Sequence, residues 1–211
     1  TRLEETESQL VDLRASVIGE VFERVSSVES QGEEDSRELT LADVADWGSG
    51  GTPSATNPDY YGGDIPWAVI GDLNDGIIFE TQKTITEMGL KNSSAKYVPP
   101  GAVLIAMYGA SIGRLGIAGR ELTTNQAIAY AVPRAEIISR DYLFQYLRLS
   151  KNTLIAMGKG GAQSNISQTI LKSFPVLVPT LEVQGTIVKE IGVSDAAIDA
   201  RHEEIRRSLE L

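Results

Sequence analysis

The chain has 211 residues, 42% of them apolar, no cysteine, one histidine (His202) and a formal net charge of −10. That apolar share suffices for one buried core, and the length fits one domain or one domain with an appendage. No stretch approaches the roughly 18 unbroken apolar residues of a transmembrane helix, no signal-peptide pattern opens the chain, and the chain is expected to have no membrane association. Without cysteine there are no disulfides or thiolate metal sites, a composition that fits a reducing, cytoplasmic setting. A histidine-based zinc site or a Ser-His-Asp triad would have to use His202, which sits in a charged helical tail, and both readings are set aside.

The acidity is uneven. Residues 1–38 carry 4 basic and 11 acidic side chains, and residues 181–211 carry 4 and 7. The middle, 39–180, carries 11 of each. Net charge alone argues against a nucleic-acid partner, but the neutral middle can still present a basic face.

Residues 2–25 read as a helix, with Leu3, Leu10 and Val17 seven apart and Leu13, Val21 and Val25 filling the same side. Ser26–Glu38 is polar and acidic and reads as a linker. Leu39–Ala45 is a strand or a short helical turn. From Trp47 to Trp67, Gly, Pro and aromatic residues are too dense for a helix or a plain strand: Trp47-Gly-Ser-Gly-Gly-Thr-Pro-Ser54, then Tyr60-Tyr61-Gly-Gly-Asp-Ile-Pro-Trp67. The expectation is an ordered loop between strands, with Tyr60 and Tyr61 as contact surface and Trp67 in the core.

Further strands are expected at Trp67–Ile70, from Ile77, at Ala102–Tyr108, Leu115–Ala118, Ala127–Val132 and Phe174–Val178. Turns are expected at Asp72–Gly76 and Gly109–Gly113. Helices are expected at Asp141–Leu149 and Ile166–Lys172, with a Gly-rich polar loop, Lys159–Asn165, before the second. From Glu182 the chain is helical again, and Val188, Ile191, Ile198, Ile205 and Leu209 fit heptad a and d positions. Asp195 and His202 fall on a positions of that register, where a polar residue fixes partner and register at a cost in stability. The fold class is α+β: a loop-rich, mixed α/β domain flanked by long coiled-coil-type helices. The organisation expected is an N-terminal helix at 1–28, an acidic linker at 29–38, the α+β domain at 39–180 and a C-terminal helix at 181–211.

Several short motifs then come in a fixed order. Gly50-Gly-Thr-Pro-Ser54 is followed by Tyr61-Gly-Gly-Asp-Ile-Pro-Trp67 and Gly71-Asp72-Leu73. Val98-Pro-Pro-Gly101 precedes a strand ending in Gly109-Ala-Ser-Ile-Gly113, and Asn125-Gln126 precedes another. Gly160-Gly-Ala-Gln163-Ser164-Asn165-Ile166 precedes a helix, and Pro179-Thr-Leu-Glu-Val-Gln184 opens the last one. Each is weak alone, but in this order and spacing, over 39–211, they resemble one half of a Type I restriction–modification specificity subunit. The family usually has Pro-Pro-Leu-x-x-Gln where this chain has Pro179-Thr180-Leu181-Glu-Val-Gln184, a minor departure.

The resemblance implies a non-catalytic subunit in which a target recognition domain reads one part of a split double-stranded DNA target. Long helices that pair antiparallel would act as a spacer and dock methyltransferase subunits and, in the full complex, an endonuclease subunit. No cofactor is expected in this chain, and S-adenosylmethionine is expected in the methyltransferase partner, acting on adenine N6. With one such domain and both ends inside helical patterns, the chain reads as a fragment, or as a half-subunit that forms a homodimer. The helix-interface residues are then Leu10, Val17, Ile191, Ile198, His202 and Ile205.

Base edges are read by paired donors and acceptors, and phosphates are held by basic side chains, hydroxyls and backbone N–H groups. The candidate DNA-binding residues on those grounds are Thr52, Ser54, Tyr60, Tyr61, Lys83, Ser111, Arg114, Lys159, Gln163, Ser164, Asn165 and Ser167. The start of the helix near Ile166 offers a positive end to phosphate, or Ser and Asn there are only a turn and a helix cap. Asn125-Gln126 reads as a strand cap. No pair of carboxylates has a catalytic setting, and no P-loop, Gly-x-Gly-x-x-Gly or Asn-Pro-Pro-Tyr-type methyltransferase motif is present. The rival readings are a coiled-coil protein-interaction adaptor without DNA reading, favoured by the acidic ends, and a sugar-binding or hydrolytic domain built on Tyr60, Tyr61, Asp64 and Trp67.

Overall fold

The computed structural model describes residues 2–29, 36–158 and 165–209. The chain divides into two compact units, Glu38–Val176 and a second made of Thr1–Arg37 with Leu177–Leu211. In chain order the elements begin α1 (Arg2–Glu29), β1 (Arg37–Thr40), α2 (Leu41–Val44), β2 (Ala45–Ser49), β3 (Tyr61–Ala68), β4 (Ile77–Ile78), β5 (Thr84–Ile85) and α3 (Glu87–Lys91). They continue β6 (Tyr97–Val98), β7 (Val103–Ala106), β8 (Leu115–Ala118), β9 (Leu122–Thr124), β10 (Ile128–Pro133), α4 (Arg140–Leu149), α5 (Lys151–Met157), α6 (Gln168–Lys172), β11 (Pro175–Val178) and α7 (Leu181–Leu209). Among the described residues, no helix is long and apolar enough to cross a membrane.

Two sheets form the body of the first unit. One has the order β2-β10-β7-β8-β4, antiparallel apart from the parallel pair β4–β8, and the other has the order β5-β3-β9-β6 with β3–β9 parallel. Ala68, Val98 and Leu122 of the second sheet share one apolar cluster with Leu104, Ala106, Ala118 and Ile128 of the first. All four residues of β7 are buried, because that cluster covers one face of the strand and α4 covers the other. On the far side of the second sheet, Ile65, Trp67, Ile85 and Ala95 make a smaller cluster. Each fully buried Leu or Ile here contributes about 1.5–3 kcal/mol by leaving water.

The segment from Trp47 to Trp67 is shorter as a loop than its composition implies. β2 runs to Ser49 and β3 begins at Tyr61, so the loop proper is 50–60. Gly62 hid the strand. It lies where the β3–β5 register shifts between Tyr61 and Ile65, with φ of 77°, and such a bulge favours a residue without a Cβ. Trp67 is buried as expected, its indole N–H donating to Gly51 O at 3.0 Å. Leu39–Ala45 contains both readings offered for it, the end of β1 and then the short turn α2. That turn is pinned at Asp43, whose carboxylate accepts from the Thr40 hydroxyl at 2.6 Å and the Thr40 N–H at 2.8 Å. These bonds hold the Asp43 carboxyl below its usual range. The strands β5, β6 and β9 and the helices α3 and α5 had no counterpart in the sequence reading.

In the other unit, α1 and α7 pack together. Arg14 reaches Asp199 and lies 3.8 Å from Asp195, and Arg24 pairs with Glu190, so the two helices run antiparallel. Of the expected interface residues, Ile191 and Ile198 are buried, while Leu10, Val17, His202 and Ile205 are half-buried. The buried face of α1 differs from the heptad reading. Val21 is buried as read, and Ile18 and Phe22 are buried with it, whereas Leu13 is 48% exposed. A helix of 3.6 residues per turn drifts off a strict seven-residue count, which moves the contact line toward Ile18 and Phe22. On α7, Ile187 joins the buried stripe. Gln184 is fully buried at the start of that helix, where its side-chain N–H donates to Pro179 O at 2.9 Å.

Candidate nucleic-acid interface

Strand direction brings distant loops to one end of the five-stranded sheet. The end of β7 (Ala106) lies opposite the start of β10 (Ile128), and Ile105 lies opposite the start of β8 (Leu115). The end of β2 (Ser49) lies opposite Ala129. The segments 50–54, 107–114 and 124–127 therefore emerge side by side. Segment 165–167 joins them through an isolated bridge between Tyr108 and Asn165 and through Ile166 N–H donating to Met107 O at 2.8 Å. Asp75 closes the far flank, its N–H donating to Leu115 O at 2.9 Å and its carboxylate accepting from Leu115 N–H at 3.2 Å.

Backbone bonds hold these loops closely. Gly51 N–H donates to Thr124 O at 2.9 Å, Met107 N–H to Ala127 O at 2.9 Å, and Gly113 N–H to Ala106 O at 3.0 Å. Gly50 sits so near β9 that a Cβ there would lie 1.9 Å from Thr124 O. Thr124 is fully buried, and among the described residues its hydroxyl is the one buried side-chain polar atom without a hydrogen-bond partner.

The expected site residues separate into three groups. Thr52, Ser111, Arg114, Asn165 and Ser167 come together on this strand-end face, with Ser54 at its margin. Thr52, Arg114 and Asn165 are exposed, and Ser111 is half-buried. The Ser167 hydroxyl accepts from Ile170 N–H at 3.2 Å and so caps α6. That helix has five residues. Lys159, Gln163 and Ser164 lie outside the described residues.

Tyr60, Tyr61 and Lys83 lie at the second sheet: Tyr61 opens β3, Tyr60 directly precedes it, and Lys83 directly precedes β5. Tyr60 is half-buried against α3, where a Cβ on Gly89 would meet its carbonyl at 2.4 Å. The Tyr61 hydroxyl donates to Pro53 O at 2.6 Å, and its ring stands edge-on to Trp67. Its polar end thus braces the loop that carries Thr52 and Ser54. Lys83 is exposed, and its carbonyl accepts from Trp67 N–H at 3.0 Å.

Three residues of the face carried no assignment as site residues. Gln126 is exposed and accepts the Thr52 hydroxyl proton on its side-chain oxygen. Tyr108, two residues past the end of the buried strand β7, is 42% exposed. Lys151, the first residue of α5, runs its stem beside Gly113, where a Cβ would lie 2.8 Å from its Cγ. For Tyr108 the available signal was an aromatic closing an apolar run; for Gln126 it was a second amide after a capping Asn. Asn125 is indeed the cap, its carbonyl oxygen accepting from Ala127 N–H at 3.1 Å. Together the face offers planar amides, hydroxyls, a guanidinium and an ammonium on a firmly held backbone. Such groups hydrogen-bond a heteroaromatic edge and neutralise an anion.

Similarity to known proteins agrees with the motif order. The chain is 29% identical over 169 residues to the Type I restriction enzyme MjaIX specificity subunit of Methanocaldococcus jannaschii, covering 78% of this chain and 39% of that protein. It is 25% identical over 178 residues to the EcoR124I/EcoR124II specificity subunit of Escherichia coli, covering 82% and 44%. The fold resembles the Type-I restriction-modification system S subunit from M. genitalium, with a TM-score of 0.63 at 15% identity over 99% of this chain and 54% of that one. The chain thus spans about two fifths of the length of the curated relatives it matches. Residues 33–211 match the model of the Type I restriction modification DNA specificity domain, and the chain belongs to that family.

Proposed function

We propose that this chain is a DNA sequence-reading part of a type I restriction–modification specificity subunit, itself without catalytic activity. Residues 39–180 act as the target recognition domain and read one part of a split target. The helices at 1–28 and 181–211, joined to it at the N-terminal side by the acidic stretch 29–38, act as spacer and as the docking surface for methyltransferase subunits and an endonuclease subunit. S-adenosylmethionine is bound by the methyltransferase partner, and the complex works in the cytoplasm.

The convergence of segments 50–54, 107–114, 124–127 and 165–167 on one sheet end supports this reading most directly. Hydroxyl and amide side chains suited to base edges stand there beside cations suited to phosphate: Thr52, Gln126 and Asn165 near Arg114 and Lys151. Names of the curated relatives point the same way.

The test is selection from a random duplex library by this protein in complex with its methyltransferase partner. Enrichment of one short motif, or of a split motif with a fixed gap, is expected. A symmetric repeat would add that two copies of the chain pair into a homodimer. If the intact complex enriches nothing, the DNA-reading proposal falls. Affinity for the selected duplex should also fall steeply with salt, because neutralised phosphates release counterions.

A further inference from the structure

We infer that Gln126, its side-chain carbonyl held by the Thr52 hydroxyl, reads the major-groove edge of an adenine within the target. This rests on the DNA-reading proposal and names a reader within it.

The backbone on both sides of the pair is fixed. Asn125 N–H donates to Ala68 O at 3.0 Å, the Asn125 side chain turns the chain through Ala127 N–H, and Ala127 O accepts from Met107 N–H at 2.9 Å. Gln126 is thus an exposed residue between two anchored ones. Opposite it, Gly51 N–H is bonded to Thr124 O, Gly51 O accepts from the Trp67 indole, and Pro53 O accepts from the Tyr61 hydroxyl. Thr52 is the exposed residue between those anchors. Two anchored turns therefore present one hydrogen-bonded side-chain pair to solvent.

The direction of that bond gives the chemistry. A hydroxyl donating to Gln126 Oε1 uses one of the two carbonyl lone pairs and sets the plane of the amide. The second lone pair and the two N–H donors of Nε2 remain for a ligand. An acceptor beside donors, at that spacing, matches adenine, whose N6 donates and whose N7 accepts. Guanine, with acceptors at both positions, leaves Oε1 facing an oxygen. Holding a flexible side chain in its reading geometry before contact lowers the ordering cost of binding.

The experiment compares selected motifs for the full chain in its methyltransferase complex, as wild type and as Gln126→Ala, Gln126→Glu, Thr52→Val and Thr52→Ser. At one position wild type should require A·T. Gln126→Ala should lose about 5- to 150-fold discrimination there and leave the other positions unchanged. Gln126→Glu, which only accepts, should move the preference at that position toward cytosine, whose N4 donates. Thr52→Val should blunt the same position, and Thr52→Ser should restore it.

A merely structural role for Gln126 would lower affinity for all sequences alike, with the motif unchanged. That outcome overturns the inference while wild-type enrichment leaves the DNA-reading proposal standing. No enrichment by wild type removes both. The Glu variant, isosteric with Gln, keeps the test decisive if Gln126→Ala does not fold.

Discussion

Glycine has opposite roles in the two units. In the sheet unit, Gly50 lets backbone approach backbone, and a Cβ there would overlap Thr124 O at 1.9 Å. In the helix pair, Gly185 and Gly192 of α7 are exposed, and a Cβ at either would meet nothing within 4 Å. At Gly50 the first unit positions its loop by a close, directional backbone contact that leaves no room for an added atom. The second holds two helices by a narrow apolar stripe and by ion pairs at its rim, with propensity to spare. The unit that presents side chains at defined positions is the one with little freedom left.

The largest effect expected from this contrast is at Gly50. Gly50→Ala should cost about 3 kcal/mol or more, because the new methyl has to displace the end of β9 and not a flexible side chain. Urea denaturation gives the comparison directly. A midpoint equal to wild type would mean that loop 50–54 moves freely against β9, and the fixed geometry argued for Thr52 would go with it.

The same substitution should reverse sign in α7. Gly192→Ala should stabilise the chain by about 1 kcal/mol, the difference in helix propensity between the two residues. Gly185→Ala should act alike. A loss of stability at either would place a packed neighbour against that side of the helix and break the contrast.

How far the sequence revealed these units follows from the range of the contacts that build them. β8 was legible, because Leu115–Ala118 is a short apolar run with Gly113 and Gly119 close on either side. Of β3 only the end at Trp67–Ala68 fell within the expected strand Trp67–Ile70, because Gly62, Gly63 and Pro66 outweighed the alternation of Ile65 and Trp67 until the bulge against β5 accounted for Gly62. The strands β5, β6 and β9 have two or three residues each, too few for any period to register. For α1 the element type was plain and the facing was not: Leu13 was read inward, while Ile18 and Phe22 went unread.

The candidate face follows the same rule. The segments around Ser111 and Asn165 were each singled out by local turn chemistry. Their adjacency depends on the Tyr108–Asn165 bridge, which joins residues 57 positions apart and leaves no trace in composition. Gln126 is a further case. Only its meeting with Thr52, 74 positions away, sets it apart from an ordinary loop amide.

The smallest expected effect concerns what the rim charges add to the helix pair. Arg14 is 27% exposed and faces both Asp195, 21% exposed, and Asp199, 63% exposed. Pairs so open to water are worth about 0.5 kcal/mol, since solvent screens the attraction and ordering two long side chains opposes it. Arg14→Gln should therefore cost about that much at low ionic strength. At roughly 1 M salt, where the Debye length falls to about 3 Å, most of the loss should vanish. Denaturation midpoints of wild type and variant at both salts decide the matter, with Asp199→Asn completing a double-mutant cycle. Should the loss persist unchanged at high salt, the aliphatic stem of Arg14, four positions from both Leu10 and Ile18 on α1, would be the contributor. The helix pair would then depend on packing as the sheet unit does, and the contrast would reduce to how much apolar surface each unit buries.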